Sequence, residues 1–380
     1  MMDSPRAKIC MFLLNGYLQD GRVRRTTRFL AEKGYDITVI AESDTGDNDD
    51  LEIDGVKVYR LSSGGLPTSK GRFIKYLIKA ALLGIRIKAN IYHCFDLDTL
   101  LPAAVASTIN GGNLIYEAHE YYPGLEALLG RPFTKLIWVL LERLLIHKPN
   151  KVITVNESIA EKLSKRYAIP KPTVIYSCEN KRTVSKSDFI REKFNIPEDK
   201  TIILYVGILR GGQGLELIPR IISELESTAA VIVGDGPIRK RLEDLRDDLS
   251  LGDRLFFAGA VEYDELRRYY GSADIGILLM EPLAENNRLA LPNKFFAYLA
   301  YGLPVVVSDI PELSRFVEDF KLGVVVQVDI DDAVEGINRI INDGDFYEKC
   351  RDNAYSFSDK FNWETEAEKY LDIYSELLDR

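Results

Sequence analysis

Three stretches of the chain combine residue types at spacings that suit an anion. A strand-like run, Ile202–Val206, enters Gly207-Ile208-Leu209-Arg210-Gly211-Gly212-Gln213-Gly214, and helical spacing resumes near Leu215. A glycine-rich turn between strand and helix lets backbone N–H groups approach a phosphate, with the positive end of a helix dipole behind them. Arg210 is the expected phosphate ligand, with Gly207, Gly214 and Asn293 shaping its pocket. The turn has neither GxGxxG spacing nor the Lys-Ser/Thr pair of a triphosphate loop, so neither a dinucleotide enzyme nor an ATPase is indicated. In the second stretch, Val231-Ile232-Val233 runs into Gly234-Asp235-Gly236-Pro237 and then a helix-like Arg239–Leu249. Glycines there permit the tight reversal that a site edge needs, although the same residues also make an ordinary turn. The third is Pro292-Asn293-Lys294, ahead of an apolar helical run through Ala297 that Gly302 and Pro304 stop. Proline suits a first helical turn, the following N–H groups are left to cap an anion, and Lys294 adds charge; a plain helix start is the alternative.

These turns need strands and helices to hold them, and the rest of the chain supplies both. Short apolar runs alternate with longer amphipathic segments, the pattern of parallel sheets covered by helices. In the first half the expected strands are Ile9–Leu14, Ile37–Ala41, Val56–Leu61, Ile91–Cys94, Leu114–Glu117, Val152–Val155 and Thr173–Tyr176. In the second half they are Ile202–Val206, Ala229–Val233, Leu255–Phe257, Ile275–Leu279, Val305–Ser308 and Gly323–Val326. The fold class is therefore α/β, with one doubly wound domain over 1–180 and a second over 181–362. Ligands in such sheets sit outside the carboxyl ends of the strands, and the interdomain cleft is the expected site. The polar stretch Cys178–Lys200, with Lys181-Arg182 and Pro197, reads as a linker holding a short helix, and Trp363–Leu378 as a terminal amphipathic helix.

At 380 residues, 46% hydrophobic and 28% charged, the chain exceeds one typical domain. Its apolar runs are far shorter than the roughly 20 residues of a spanning helix. Lys8 precedes a short apolar run with no small-residue cleavage site, so this start reads as a first strand. The four cysteines are scattered without a Cys-x-x-Cys pair, as expected of small buried side chains in a reducing cytoplasm. Residues 1–185 carry 26 Lys and Arg against 20 Asp and Glu, and the remainder carries 23 against 38. That asymmetry points the first half at an anionic surface or a phosphate-bearing acceptor, unless it only reflects solvated faces. Leu136–Ile146, with Trp138, Arg143, Lys135 and Lys148, is amphipathic and fits either membrane contact or core packing. Asp96-Leu97-Asp98 has the look of a metal motif, but it starts a helix and reads as capping.

The ordered set of motifs resembles the retaining glycosyltransferases of family four, which have the GT-B fold of two Rossmann-like domains. Asp20-Gly21-Arg22-Val23 ahead of a helix is similar to that family's Asp-x-Arg-Val opening. His93-Cys94-Phe95-Asp96-Leu97-Asp98, Tyr116-Glu117-Ala118-His119-Glu120 and Val152-Ile153-Thr154-Val155-Asn156 follow in the family's order, and Pro292-Asn293-Lys294 marks a subgroup. The closing helix over 363–380 resembles one that packs back onto the N-terminal domain.

The resemblance implies transfer of a sugar from a nucleoside diphosphate sugar to a glycan, lipid-linked or small-molecule acceptor. It further implies retention of configuration, no cofactor and no essential metal. His119 would lie at the donor sugar, with Arg210 and Lys294 on the diphosphate. Gly207, Gln213, Gly214, Gly234, Asp235, Gly236, Pro292, Asn293 and Ala297 would bind the donor, and Asp20, Arg22 and Glu120 would face the acceptor. The implied setting is cytoplasmic, with peripheral contact at the inner membrane face and no nucleic acid. The sequence departs from the family where Ile208 and Gln213 replace an Arg and a Lys, and where Leu289 and Ala297 replace two glutamates. A degenerate glycan- or partner-binding protein is the alternative these departures suggest.

Overall fold

The computed structural model describes residues 7–43, 49–62, 69–181 and 186–379; Arg182 of the expected linker lies outside them. The chain forms two compact units, one of Met1–Tyr176 with Glu366–Arg380 and one of Ser177–Thr365.

In the first unit the strands are β1 (Lys8–Leu13), β2 (Asp36–Glu42), β3 (Asp49–Ile53), β4 (Val56–Leu61), β5 (Ile91–Phe95), β6 (Asn113–Ala118), β7 (Lys151–Thr154) and β8 (Thr173–Val174). Their order across the sheet is β3-β4-β2-β1-β5-β6-β7-β8. All pairs are parallel except β3–β4. The expected strands are all present, within a residue or two at their ends. β3 is the one addition: it pairs Ile53 with Val56 around Asp54-Gly55, both at positive φ (54° and 76°). An Asp-Gly pair is a favoured two-residue hairpin turn because its left-handed backbone matches strand twist. Asp49-Asp50-Leu51-Glu52-Ile53 is too polar to announce itself as a strand, and it survives at the sheet edge where the Arg60 guanidinium pairs with Asp49.

Buried central strands such as Ile91–Phe95 and Asn113–Ala118 are nearly continuous apolar runs, as strands covered on both faces must be. The helix Gly21–Glu32 begins where the Asp20 carboxylate accepts from the Val23 N–H (3.0 Å), satisfying one of the free amides of its first turn.

The second unit has a six-stranded, all-parallel sheet of order β11-β10-β9-β12-β13-β14. Its strands are β9 (Thr201–Val206), β10 (Thr228–Val233), β11 (Leu255–Gly259), β12 (Ile275–Leu278), β13 (Val305–Ser308) and β14 (Gly323–Val326). Its core joins Ile203, Tyr205 and Ile232 of the sheet to Ile221 and Ile337 of the covering helices. The short helix expected between the domains is Phe189–Phe194. Among the parallel strands of each sheet the order reverses once, between β1 and β5 and between β9 and β12, the positions at which a doubly wound sheet leaves a crevice at its carboxyl edge.

Candidate functional site

In the second unit, three loops at the carboxyl edge pack backbone against backbone. The Gly207 N–H donates to the Val233 carbonyl (2.9 Å), the Leu209 N–H to the Asp235 carbonyl (3.0 Å), and the Glu281 N–H to the Gly212 carbonyl (3.0 Å). Such closeness excludes side chains. At Gly234, φ is +136° and an added Cβ would lie 1.9 Å from the Gly207 carbonyl oxygen; at Gly214, φ is +64° and the Cβ would lie 2.1 Å from that of Leu279. Gly234→Ala is therefore expected to lower Tm by about 10 °C, since both clash and left-handed strain must be accommodated in a close-packed loop. Thermal unfolding followed by circular dichroism checks this, and an unchanged Tm would mean the loops are not so tightly seated.

The helix Asn293–Ala300 starts beside this edge with Pro292 as its N-cap and no side-chain cap. The first-turn amides of Asn293 and Lys294 have no acceptor among the described residues. Lys294 is half-buried, its Nζ 3.8 Å above the Tyr205 ring, and a Cβ on Gly207 would come within 2.9 Å of that Nζ. Burial, reinforced by the nearby Arg210 charge, pulls the Lys294 ammonium down to about 7. The Arg210 guanidinium, an amine that an anion would protonate and free amides thus come together with no carboxylate paired to them among the described residues, an arrangement that waits for an anion. Arg210 itself is exposed, and its guanidinium makes no ion pair or hydrogen bond among the described residues.

The remaining second-unit candidates have other surroundings. Asp235 is held in its turn, accepting from the Gly236 N–H (2.7 Å) and facing Arg239 (3.3 Å). Gln213 is buried within the glycine-rich turn, and Gly236 sits against the Leu209 backbone. Ala297 is buried on its helix, and Leu289 ends the short Glu285–Arg288 helix, so neither position offers a carboxylate.

In the first unit the carboxyl edge of β5 and β6 holds a charge cluster centred on Glu117, which is fully buried. Arg22, also buried, donates through Nη2 to Glu117 Oε1 (2.8 Å) and to the Ile175 carbonyl (3.0 Å). His119 Nε2 lies 2.9 Å from Glu117 Oε1, His93 Nε2 3.1 Å from Oε2, and the Tyr370 hydroxyl donates to the same carboxylate (2.9 Å). His93 Nδ1 meets the Tyr374 hydroxyl at 2.6 Å. Burial works against the Glu117 charge, but Arg22, His119 and His93 outweigh it and hold the carboxyl well below its usual range. Burial and Arg22 press His119 toward neutrality, while Glu117 and Asp96 prevail and raise it above its ordinary value.

Asp96, at the end of β5 with φ +63°, turns its carboxylate away from the helix it precedes. The expectation that Asp96 caps that helix is thus corrected: it makes no capping bond. The left-handed backbone aims Oδ1 at the His119 and Glu120 amides instead (2.8 and 3.2 Å). Asp98 accepts from the Tyr122 hydroxyl (2.7 Å). Among the described residues no group of three or more His, Cys, Asp or Glu is arranged to hold a metal.

Asp96 and Glu117 thus fix His119 from its backbone and from Nε2, leaving Nδ1 3.8 Å from Asp96 and without a hydrogen bond among the described residues. Of the acceptor-side candidates, Arg22 is spent on Glu117, Asp20 caps a helix, and Glu120 is half-buried beside His119. Glu117 and His93 lie within the motifs that resemble the family's, and spacing alone gives them no role. Their signal is an acid and a histidine inside otherwise apolar buried strands, where each demands a partner.

Both halves match families of known proteins. Residues 22–178 match Glycosyltransferase Family 4, and residues 186–357 match Glycosyl transferases group 1. The chain is 28% identical over 345 residues to an uncharacterized glycosyltransferase of Methanocaldococcus jannaschii, covering 85% of each. It is 24% identical over 289 residues to an alpha-D-kanosaminyltransferase of Streptomyces kanamyceticus, covering 71% of this chain and 72% of that one. Among solved structures it is similar to sucrose-phosphate synthase from Thermosynechococcus elongatus, with a TM-score of 0.82 at 20% identity over 98% of this chain and 100% of that one. An Anabaena protein in complex with UDP and glucose superposes with a TM-score of 0.76 at 18% identity, covering 96% and 99%.

Two Rossmann-like α/β units of this kind are the GT-B fold of glycosyltransferases. The two matches, one in each half, identify the chain as a glycosyltransferase.

Proposed function

We propose that this glycosyltransferase takes its sugar from a nucleoside diphosphate sugar and passes it, with retention at the anomeric carbon and without an essential metal, to a glycan, lipid-linked or small-molecule acceptor. In that reaction the bond between the anomeric carbon and the diphosphate breaks, and its electron pair leaves with the diphosphate. The acceptor oxygen bonds the carbon as its proton passes to an oxygen of the departing diphosphate. The observation that carries the reading is the cation and amide cradle of Arg210, Lys294 and the Asn293–Ala300 helix start, which matches the charge developing on the leaving group. The motif set that includes Pro292-Asn293-Lys294 supports placement in the corresponding subgroup. His119 hydrogen-bonds through Nδ1 with a hydroxyl of the donor sugar, its orientation fixed by Glu117 and Asp96. The Anabaena neighbour, solved with UDP and glucose, supports a nucleotide-sugar partner.

A ligand that binds only the folded state raises the melting temperature, by about 2.7 kcal/mol of stabilisation at one hundred times its Kd. A panel of nucleoside diphosphates and their sugars is expected to give a selective shift with one base, and Arg210→Ala is expected to abolish most of it. Equal shifts in wild type and Arg210→Ala would remove Arg210 from the phosphate.

Leu289 and Ala297 favour a second reading, a degenerate protein that binds a glycan or partner without catalysis. That reading expects no shift with any nucleotide and no donor hydrolysis across a wide acceptor panel.

A further inference from the structure

Most of the large apolar side chains exposed in the first unit fall on three neighbouring helices, Ser69–Ile87, Leu97–Asn110 and Pro132–Leu145. The first packs along the second and the second against the third, and Phe73 and Trp138 join the first to the third with ring centroids 5.9 Å apart. On the first two helices Ile74, Ile78 and Leu82, and Leu101, Val105 and Ile109, recur every four residues, so each set forms one exposed row. On the third, Phe133 is 83% exposed and Leu144 72%. Apolar rows of this extent are unusual on a surface with no partner.

The charges on the same helices are one-sided. The three segments carry seven Lys and Arg and only two carboxylates. Glu142 is buried between the Tyr116 and Tyr167 hydroxyls, and Asp98 accepts from Tyr122. We propose that this three-helix layer is a docking surface for an anionic phospholipid bilayer. Aliphatic rows would enter the acyl boundary while Lys70, Arg72, Lys135 and Arg143 stay at the headgroups. A second copy of the chain fits poorly, since a symmetric contact would set these cations against one another. A protein partner is also disfavoured, because interface cores are enriched in aromatic side chains and these rows are nearly all Ile, Leu and Val.

The test is flotation of the full chain, without nucleotide, on vesicles of phosphatidylcholine with phosphatidylglycerol and on vesicles of phosphatidylcholine alone. Omitting nucleotide separates this surface from the donor reading, which can fail or stand independently. Binding to the anionic vesicles is expected to exceed that to neutral ones at least about tenfold and to fall as salt shortens the Debye length. The exposed triple substitution Ile78→Gln, Ile137→Gln and Leu144→Gln should reduce anionic binding at least about tenfold while leaving Tm unchanged. Equal binding to both vesicle types, no binding at low salt, or wild-type binding by the triple variant would overturn the proposal. So would a concentration-dependent dimer in sedimentation velocity that the triple variant abolishes, which would give the layer to a second copy.

Discussion

Replacing Lys294 by Met is expected to lower kcat/KM about 10²–10³-fold, the loss seen when one preorganised donor to a developing negative charge is removed. The same change should leave Tm equal or higher. The ammonium is pulled down to about 7 by burial and by Arg210, so the empty fold is penalised for holding it charged. Its ordinary value is 10.5, so that penalty grows as pH falls from there toward 7, and methionine removes it. Donor binding has the opposite sign. A diphosphate beside Lys294 favours the ammonium, so complex formation takes up a proton above about pH 7, and Kd should rise as pH increases from about 7 to 9. Calorimetric titration in buffers of different ionisation enthalpy reads that uptake directly. The Met variant should lose both the uptake and the pH dependence. A flat Kd across that range, together with wild-type kcat/KM in the variant, would take Lys294 out of the donor site.

The parts of this site that sequence made legible are those carried by local backbone rules. Gly207, Gly214 and Gly234 follow apolar strands, and a glycine between strand and helix has few roles other than close approach, which the contacts with Leu279 and Gly207 then show. Lys294 follows Pro292 at a helix start, and charge at such a place is readable by spacing alone. The parallel strands were readable because each is a short apolar run bounded by turn residues. What sequence hid depends on residues far apart in the chain. Glu117 lies 95 residues from Arg22 and 253 from Tyr370, and periodicity carries no information across such distances. Asp96 misled for a related reason: an Asp ahead of a helix is normally its cap, and only the left-handed φ of +63° sends the carboxylate to His119 instead. β3 was hidden by composition, since an edge strand need not be apolar.

Glu117→Gln is expected to cost about 3–5 kcal/mol, the range for removing one partner of a buried ion pair and leaving the other uncompensated. At about 2–4 °C per kcal/mol for a unit of this size, Tm should fall by about 6–20 °C. The stranded charge is Arg22, buried with no anion left beside it and only neutral acceptors to receive it, the Ile175 carbonyl, the Tyr370 oxygen and the new amide oxygen, and the Tyr370 hydroxyl loses its charged acceptor as well. Tyr370→Phe, which deletes only that hydroxyl, should cost about 1.5–3 kcal/mol, the range for a hydrogen bond to a charged group, and serves as the comparison. The pH dependence separates the two ends of the Glu117–His119 pair. Glu117 is held below its ordinary 4.5, so its stabilisation is present above that value and lost as pH falls through its folded value. His119 is raised above 6.5, so its share is present below that value and lost as pH rises through the folded one. In Glu117→Gln the imidazole keeps the repulsion of Arg22 and loses its main anionic partner, and its titration should move down. Histidine NMR, with the His119 resonance assigned by His119→Gln, follows that midpoint. A midpoint that stays in place would show that Asp96 alone sets the charge of His119, and the role of Glu117 would then be to fasten the C-terminal helix through Tyr370.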